Sequence, residues 1–159
     1  MLRVLLGFVL FIIAISVFAQ SSNEKDNVSQ TLDRFHQAAA KANYDGYFNL
    51  FAEQAVFIGT DGSERWTKDA FKAYVKPHFT KKVGWLYKST QRNISLVKDT
   101  NIAFFDELLF NDNYGKCRGT GVLIKLNNEW KILQYNLSIP VPNDLSKQVI
   151  GLIQSASES

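Results

Sequence analysis

The stretch of residues 118–142, RGTGVLIKLNNEWKILQYNLSIPVP, constrains the fold more than any other part of the chain. Apolar and polar residues alternate along it, which is typical of strands with one buried face. Asn127-Asn128 divides the stretch, and asparagines favour the tight turn of a β-hairpin. We therefore predict two antiparallel strands that end the sheet of a small ligand-holding or dimerising domain. Nothing in this stretch demands a reaction.

The segments before this hairpin predict an α+β layer fold, because helices come first and strands follow. Five apolar residues recur at helical intervals on one face of a first helix: Val28, Leu32, Phe35, Ala39 and Ala42. The spacing from Ser21 to Glu24 matches a capping box near its start. Asp45 is predicted to cap a short second helix that carries Phe48 and Phe51.

The rest of the chain is predicted to contain strands, turns and two further helices. A short strand at residues 55–58 ends in a glycine-rich turn, and a third helix starts at Thr67 and stops near Pro77. A last helix covers about residues 143–156, with Asn143 as its cap. Four β segments lie between these two helices, at residues 85–98, 102–110, 116–126 and 130–139.

The N-terminus has the pattern of a secretory signal peptide. Arg3 precedes an apolar run over residues 4–18, then Ala19 and a polar string over residues 20–26. A membrane anchor is the alternative, but the run is shorter than the roughly 20 residues that a spanning helix needs. We expect a signal peptide at residues 1–19, export to the periplasm or medium, and a single domain at residues 20–159.

Charge and composition exclude several classes of function. The formal net charge is +3, and the lysines are scattered among carboxylates, so neither nucleic acid nor an anionic membrane is indicated as a partner. The single Cys117 cannot form an internal disulfide and is predicted to be a core thiol, with an intermolecular bridge as the alternative. His36 and His78 have no second ligand at metal spacing and are predicted at helix ends or on the surface, so no metal or cofactor is expected.

The register of the hairpin predicts two different faces. A two-residue turn at Asn127-Asn128 would place Gln134 opposite Gly121 and Asn136 opposite Gly119. Side chains opposite glycine have nothing to pack on, so this face would hold a hollow lined by the two amides and floored by glycine backbone. The other face would carry an apolar set that a second subunit could cover: Val122, Ile124, Leu133, Tyr135, Leu137 and Ile139.

A carboxylate should face the same hollow. A five-residue loop at residues 111–115 would put Glu107 beside Gly119, whereas a loop one residue shorter would put Asp106 there. Arg118 is predicted to pair with one of these acids. The pair would be either a structural ion pair or a pair directed at a ligand, because buried charges need partners in both cases.

These residues resemble a known family. The motifs FDE-x-L at residues 105–109, YG-x-x-RGTGVL at residues 114–123 and WKI-x-QYNL-x-x-P-x-PND at residues 130–144 are similar to the SnoaL-like branch of the nuclear transport factor 2 (NTF2-like) superfamily. The resemblance covers about residues 24–145. It implies a cone, also called a cystatin-like roll, in which a bent antiparallel sheet wraps around helices and leaves a cavity. Members often dimerise through the outer face of the sheet.

The resemblance leaves three functions open. The first is binding of a small, largely apolar or amphipathic molecule without turnover. The second is an isomerase, cyclase or dehydratase type of enzyme with Asp106 or Glu107 as general base, although a histidine common on the last strand is Asn136 here. The third is a non-catalytic dimeric assembly module. Ligand contacts are predicted from seven residues: Gln134, Asn136, Arg118, Tyr47, Trp66, Tyr87 and Phe105.

Overall fold

A computed structural model describes residues 23–157 of the chain. Helix α1 occupies residues 23–40, and the other helices are α2 (Tyr44–Phe48), α3 (Lys68–Thr80) and α4 (Ser146–Ser157), the last preceded by a 3₁₀ turn at Asn143–Leu145. The predicted signal peptide and Ser21 of the predicted capping box lie outside the described residues. Within residues 23–157, no helix is both long enough and apolar enough to cross a membrane.

Six strands form one mixed sheet that does not close on itself. They are β1 (Phe51–Ile58), β2 (Arg65–Thr67), β3 (Lys88–Leu96), β4 (Ile102–Asn111), β5 (Gly115–Leu126) and β6 (Glu129–Ser138). Their order across the sheet is β2-β1-β6-β5-β4-β3, and every neighbouring pair is antiparallel except β1 and β6. The glycine-rich turn predicted after residue 58 is confirmed, and it joins β1 to β2 in a hairpin in which Ile58 pairs with Arg65.

The core lies between α1 and the inner face of the sheet. The predicted apolar stripe of α1 is buried, and Phe35 packs on both Phe51 of β1 and Tyr135 of β6, at ring-centroid distances of 5.7 and 4.7 Å. Burial of these rings and their aliphatic neighbours supplies the main favourable contribution to folding. Cys117 is also buried on this inner face, as predicted for a core thiol, and its burial raises the pKa of the thiol.

A β-bulge at Leu133 changes the register of the β5–β6 hairpin. The predicted pairs hold near the turn, where Trp130 is opposite Lys125 and Ile132 is opposite Leu123. Beyond them Gln134 pairs with Val122, because Leu133 is an extra residue on β6 without a partner on β5. Side chains alternate between the two faces of a strand, so one extra residue sends every later side chain of β6 to the face opposite the predicted one.

Two helix boundaries also differ from the sequence prediction. Asn43, not Asp45, caps α2, since its Oδ1 accepts a hydrogen bond from the backbone N–H of Gly46 at 3.1 Å. Helix α3 begins after the cap Thr67 as predicted, but it continues past Pro77 to Thr80. A proline so near the C-terminus of a helix removes one backbone hydrogen bond without ending the last turn.

Candidate functional site

The β4–β5 hairpin turns Glu107 into the interior. The structure has the first of the two predicted registers, with Glu107 opposite Gly119 and its side chain fully buried. Asp106 consequently lies on the outer face, where its Oδ2 accepts a hydrogen bond from Asn93 Nδ2 at 2.9 Å. Of the two predicted catalytic carboxylates, Asp106 therefore has no access to the interior of the cone.

Both oxygens of Glu107 are held by side chains from three different elements. Oε1 lies 2.7 Å from Nε2 of His36 on α1 and accepts a hydrogen bond from Tyr135 Oη at 3.2 Å. Oε2 accepts from Nε of Arg92 on β3 at 2.9 Å and lies 2.8 Å from its Nη2. Arg92 Nη1 in turn donates to Asp33 Oδ1 at 2.7 Å and to Ser29 Oγ at 2.8 Å. The network joins α1 to the sheet.

The network keeps Glu107 ionised. Burial raises the pKa of this carboxyl group, but its contacts with His36 and Arg92 outweigh burial, and the net pKa is lowered. Burial and the neighbouring negative charge of Glu107 raise the pKa of Tyr135 well above its ordinary value. Tyr135 thus stays protonated and donates its hydrogen bond. Glu107 has no free lone pair directed at an open space, so it is poorly suited to act as a general base.

Two glycines of β5 make room for this network. A Cβ atom on Gly119 would overlap the hydroxyl of Tyr135 and lie 3.0 Å from Glu107 Oε1. A Cβ atom on Gly121 would overlap the backbone oxygen of Gln134 and lie 2.9 Å from the ring of Phe105. The space that the sequence predicted as an amide-lined hollow is therefore filled by two aromatic side chains.

Three predicted ligand contacts lie on the outer face of the sheet instead. The bulge at Leu133 places Gln134 and Asn136 there, opposite Val122 and Thr120. Arg118 is exposed on the same face and forms no ion pair with either acid in the part of the chain that the structure describes. The predicted pair was wrong because the cation that reaches Glu107 comes from the neighbouring strand, where Arg92 is directly opposite.

A cavity of about 280 Å³ lies next to the network. Three of the predicted ligand contacts line it, namely Tyr47, Trp66 and Tyr87, whereas Phe105 packs in the core with its ring centroid 5.8 Å from that of Tyr135. Exposed lining residues mark its mouth, between the loop after β1 and the loop after β4. The remaining lining residues are Phe35, His36, Ala39, Phe57, Gly59, Thr60, Glu64, Phe71, Tyr74, Trp85, Asn111, Asn113, Tyr114, Tyr135 and Leu137.

One polar group in this wall lacks an acceptor for its proton. The hydroxyl of Tyr47 is buried, and the indole N–H of Trp85, which acts on it, can only donate, so no described residue accepts the hydroxyl proton. Burial raises its pKa well above the ordinary value, so the hydroxyl carries its proton. A buried hydroxyl whose proton has no acceptor is uncommon in folded proteins and costs about 1–3 kcal/mol.

Sequence reasoning missed His36 and Arg92. His36 follows Phe35 on the buried side of α1, and its imidazole is only about a tenth exposed. A polar residue beside an apolar stripe is a weak signal, because helix-surface histidines occupy such positions too. Arg92 had a clearer signal: strand alternation places it on the same face as Ile94 and Leu96, and a buried arginine requires a carboxylate.

The elements and the cavity define a class of protein. A six-stranded open sheet curved over helices, with an aromatic-lined cavity beside the first helix, is an NTF2-like α+β cone. The chain belongs to the SnoaL-like family, since the model of the SnoaL-like domain matches residues 28–142. No curated protein matches the chain significantly by sequence.

Several solved structures have the same fold at low sequence identity. An NTF2-like protein of unknown function from Pseudomonas putida is 14% identical, with a TM-score of 0.65 over 77% of this chain and 91% of that one. A candidate scytalone dehydratase from Novosphingobium aromaticivorans is 12% identical, with a TM-score of 0.63 over 76% and 87% of the two chains. A protein with a cystatin-like fold from Nostoc punctiforme is 15% identical, with a TM-score of 0.58 over 73% and 90%. At such identities the likeness establishes the fold alone.

Proposed function

We propose that this protein binds a small, largely aromatic molecule in its cavity without converting it, and that a hydrogen-bond acceptor of the molecule meets the hydroxyl of Tyr47. The observation that carries the proposal is this buried hydroxyl, which belongs to a residue that lines the cavity and whose proton has no acceptor among the described residues. An acceptor on a bound molecule would offset the cost of burying it.

The size and lining of the cavity support a small ring compound. Its volume of about 280 Å³ is just below the range of about 300–1,000 Å³ that is usual for ligand sites. Ten of the eighteen lining residues are Phe, Tyr or Trp, and planar rings pack well against such walls. A molecule of one or two rings with one or two polar groups fits this description.

Tyrosol is a suitable neutral probe, because its phenol oxygen can accept a hydrogen bond from Tyr47. We expect Tyr47→Phe to weaken tyrosol binding about fivefold, since one neutral hydrogen bond contributes about 1 kcal/mol. The same variant should unfold at a higher denaturant concentration than wild type when no ligand is present, because it lacks the hydroxyl whose proton has no acceptor. Titration calorimetry and denaturant unfolding measure the two effects.

Tyr74→Phe is the matched control, since Tyr74 also lines the cavity but is 47% exposed. It should change neither affinity nor stability appreciably. Native mass spectrometry of protein purified from its own source would add the class of any bound molecule. Equal tyrosol affinities for wild type and Tyr47→Phe would contradict the role of the hydroxyl.

A second candidate function is proton transfer with His36 as general base, and the contact between His36 and Glu107 favours it. The carboxylate holds Nε2 at 2.7 Å, so with a proton on Nε2 the other ring nitrogen, Nδ1, is left as the basic atom. His36 lines the cavity, and none of its described hydrogen bonds involves Nδ1. Glu107 would then orient His36, whereas the sequence predicted that Asp106 or Glu107 itself acts as the general base.

This second function predicts exchange of a weakly acidic C–H proton. Incubation with 2-tetralone in D₂O should show faster loss of the α-proton NMR signal with wild type than with His36→Gln. Asp106→Asn is the control, because that carboxylate lies outside the cone. Equal rates for wild type and His36→Gln would leave binding as the sole function of the cavity.

We also infer that a second copy of the chain covers the outer face of the sheet. Phe104, Leu108 and Phe110 are exposed on the outer face of β4, with Asp106 between the first two, and exposed apolar side chains of this kind are costly for an uncovered strand. Asp106 and Arg118 lie on the same face, so a two-fold axis could bring Asp106 of one copy to Arg118 of the other.

A further inference from the structure

Charge is distributed unevenly along the cavity. Glu64 is the one carboxylate among the described residues that line it, and the lining contains no lysine or arginine. His36 lies at the inner part of the wall, where Glu107 already holds it. A negatively charged ligand would therefore find no cation of its own, whereas a positively charged one would find Glu64.

Strand alternation fixes the side on which Glu64 lies. Glu64 directly precedes β2, and residues two apart on a strand share a face, so Glu64 and Trp66 both border the cavity. Arg65 lies between them and is exposed on the opposite face. Glu64 takes part in no ion pair within residues 23–157, and its Oε2 accepts only a long hydrogen bond of 3.3 Å from the backbone of Asp61.

The two loops at the mouth of the cavity carry further negative charge besides that of Glu64. Residues 59–64 contain Asp61 and Glu64, residues 112–115 contain Asp112, and neither segment contains a lysine or arginine. The chain as a whole has a formal charge of +3, so the negative mouth is a local property. A cleft of one sign raises the local concentration of ligands of the other sign.

Aromatic rings line the same cavity as Glu64. The rings of Trp66 and Tyr74 stack at a centroid distance of 5.0 Å, and Tyr114 is exposed on the loop that borders the other side of the mouth. The faces of such rings attract ammonium groups. The buried hydroxyl of Tyr47, whose proton has no acceptor among the described residues, is an independent sign that the cavity receives a ligand.

We propose that the molecule bound in this cavity is an aromatic amine or quaternary ammonium compound, whose cationic group lies at the mouth against Glu64 while its ring occupies the interior. The inference rests on the binding function proposed above. It makes Glu64 the residue that determines selectivity for the charge of the ligand. The hydrogen-bond acceptor that meets Tyr47 and the cation that meets Glu64 would then lie at opposite ends of the ligand.

Three matched probes test this inference: tyramine, tyrosol and 4-hydroxyphenylacetate. Each has a phenol ring and a two-carbon arm, which ends in an ammonium, a hydroxyl or a carboxylate group. At low ionic strength we expect tyramine to bind about fivefold more tightly than tyrosol, since a partly exposed charge contact and a cation–π contact each contribute modestly. The carboxylate should bind most weakly. Calorimetry gives the affinities, and the emission of Trp66 and Trp85 reports binding at the wall.

Glu64→Gln should abolish the preference for tyramine and leave the tyrosol affinity unchanged. Glu129→Gln is the matched control: it removes the same charge from an exposed carboxylate at the β5–β6 hairpin, which is the opposite end of β5 from the mouth, and it should retain the preference. Binding of tyrosol at least as tight as that of tyramine, or a preference that survives Glu64→Gln, would overturn the inference while the binding function stands. Failure of all three probes to bind would overturn both.

Discussion

Glu107 shows how one buried charge depends on partners from distant parts of the chain. Its hydrogen-bond partners come from α1, β3 and β6, and none is close to it in sequence. Removing one member of a buried ionic network leaves the others without compensation, which is far more costly than losing a surface pair. The network is therefore expected to affect the stability of the whole domain, besides holding His36 in place.

The lowered pKa of Glu107 predicts a specific dependence of stability on pH. Its contribution is fully present above the ordinary value of 4.5 and is lost as the pH falls through the lower pKa of the folded state. Denaturant unfolding at a series of pH values should show that Glu107→Gln is less stable than wild type at neutral pH, by about 3 kcal/mol. The difference should shrink on acidification.

Asp106→Asn is the control for this experiment, because it changes the adjacent carboxylate on the exposed face. It should follow the wild-type curve. A constant difference between Glu107→Gln and wild type from neutral pH to below 4.5 would show that ionisation of Glu107 does not stabilise the fold.

At the scale of elements, the strands and helices were largely predictable, and the faces of β6 were not. Periodicity placed the stripe of α1 and the four long strands, because burial imposes these patterns directly on the sequence. It left two registers open between β4 and β5, and the structure has the one with Glu107 opposite Gly119. The bulge at Leu133 has no comparable signal: a valine, leucine or isoleucine in a strand looks the same whether or not it has a partner.

That bulge explains most of the errors in the predicted site. Alternation without a bulge sends Gln134 and Asn136 inward, whereas the real strand sends Tyr135 and Leu137 inward. Trp66, Tyr47 and Tyr87 line the cavity, and their position depends on neither the hairpin nor its register. Contacts between distant segments, such as that of His36 with Glu107, require the assembled fold.

Deleting Leu133 should remove the bulge and leave Tyr135 facing inward, because Gln134 then follows Ile132 directly and stays opposite Val122. The ring of Tyr135 would keep its packing on Phe35, Phe57 and Phe105, together with its hydrogen bond to Glu107. We therefore expect thermal unfolding, measured by circular dichroism, to remain cooperative.

Deletion of Gly62 provides the comparison, since it also shortens the chain by one residue but lies in an exposed loop with open space around it. It should still unfold cooperatively. Loss of cooperative unfolding in the Leu133 deletion alone would mean that the fold requires the bulge itself.

At the scale of the whole molecule, the proposed second copy can be tested through the exposed side chains of β4. Leu108→Glu should convert a dimer to a monomer in sedimentation equilibrium, because it places a charge in the middle of the apolar strip. Val83→Glu is the control, as Val83 is similarly exposed but lies in the loop after α3. A wild-type protein that sediments as a monomer at high concentration would refute the inferred partner.

The parallel pairing of β1 with β6 has a consequence for the order in which the protein acquires its shape. Phe51 near the start of the chain is paired with Ile132 near its end, so the sheet can join these strands only after almost all of the chain has been synthesised. Until then α1 and β1 lack most of the surface on which they pack, and long-range pairing of this kind is slow. The nascent chain would remain incompletely folded for most of its synthesis. Such a delay suits a polypeptide that must cross a membrane before it folds, as the apolar N-terminal sequence predicts.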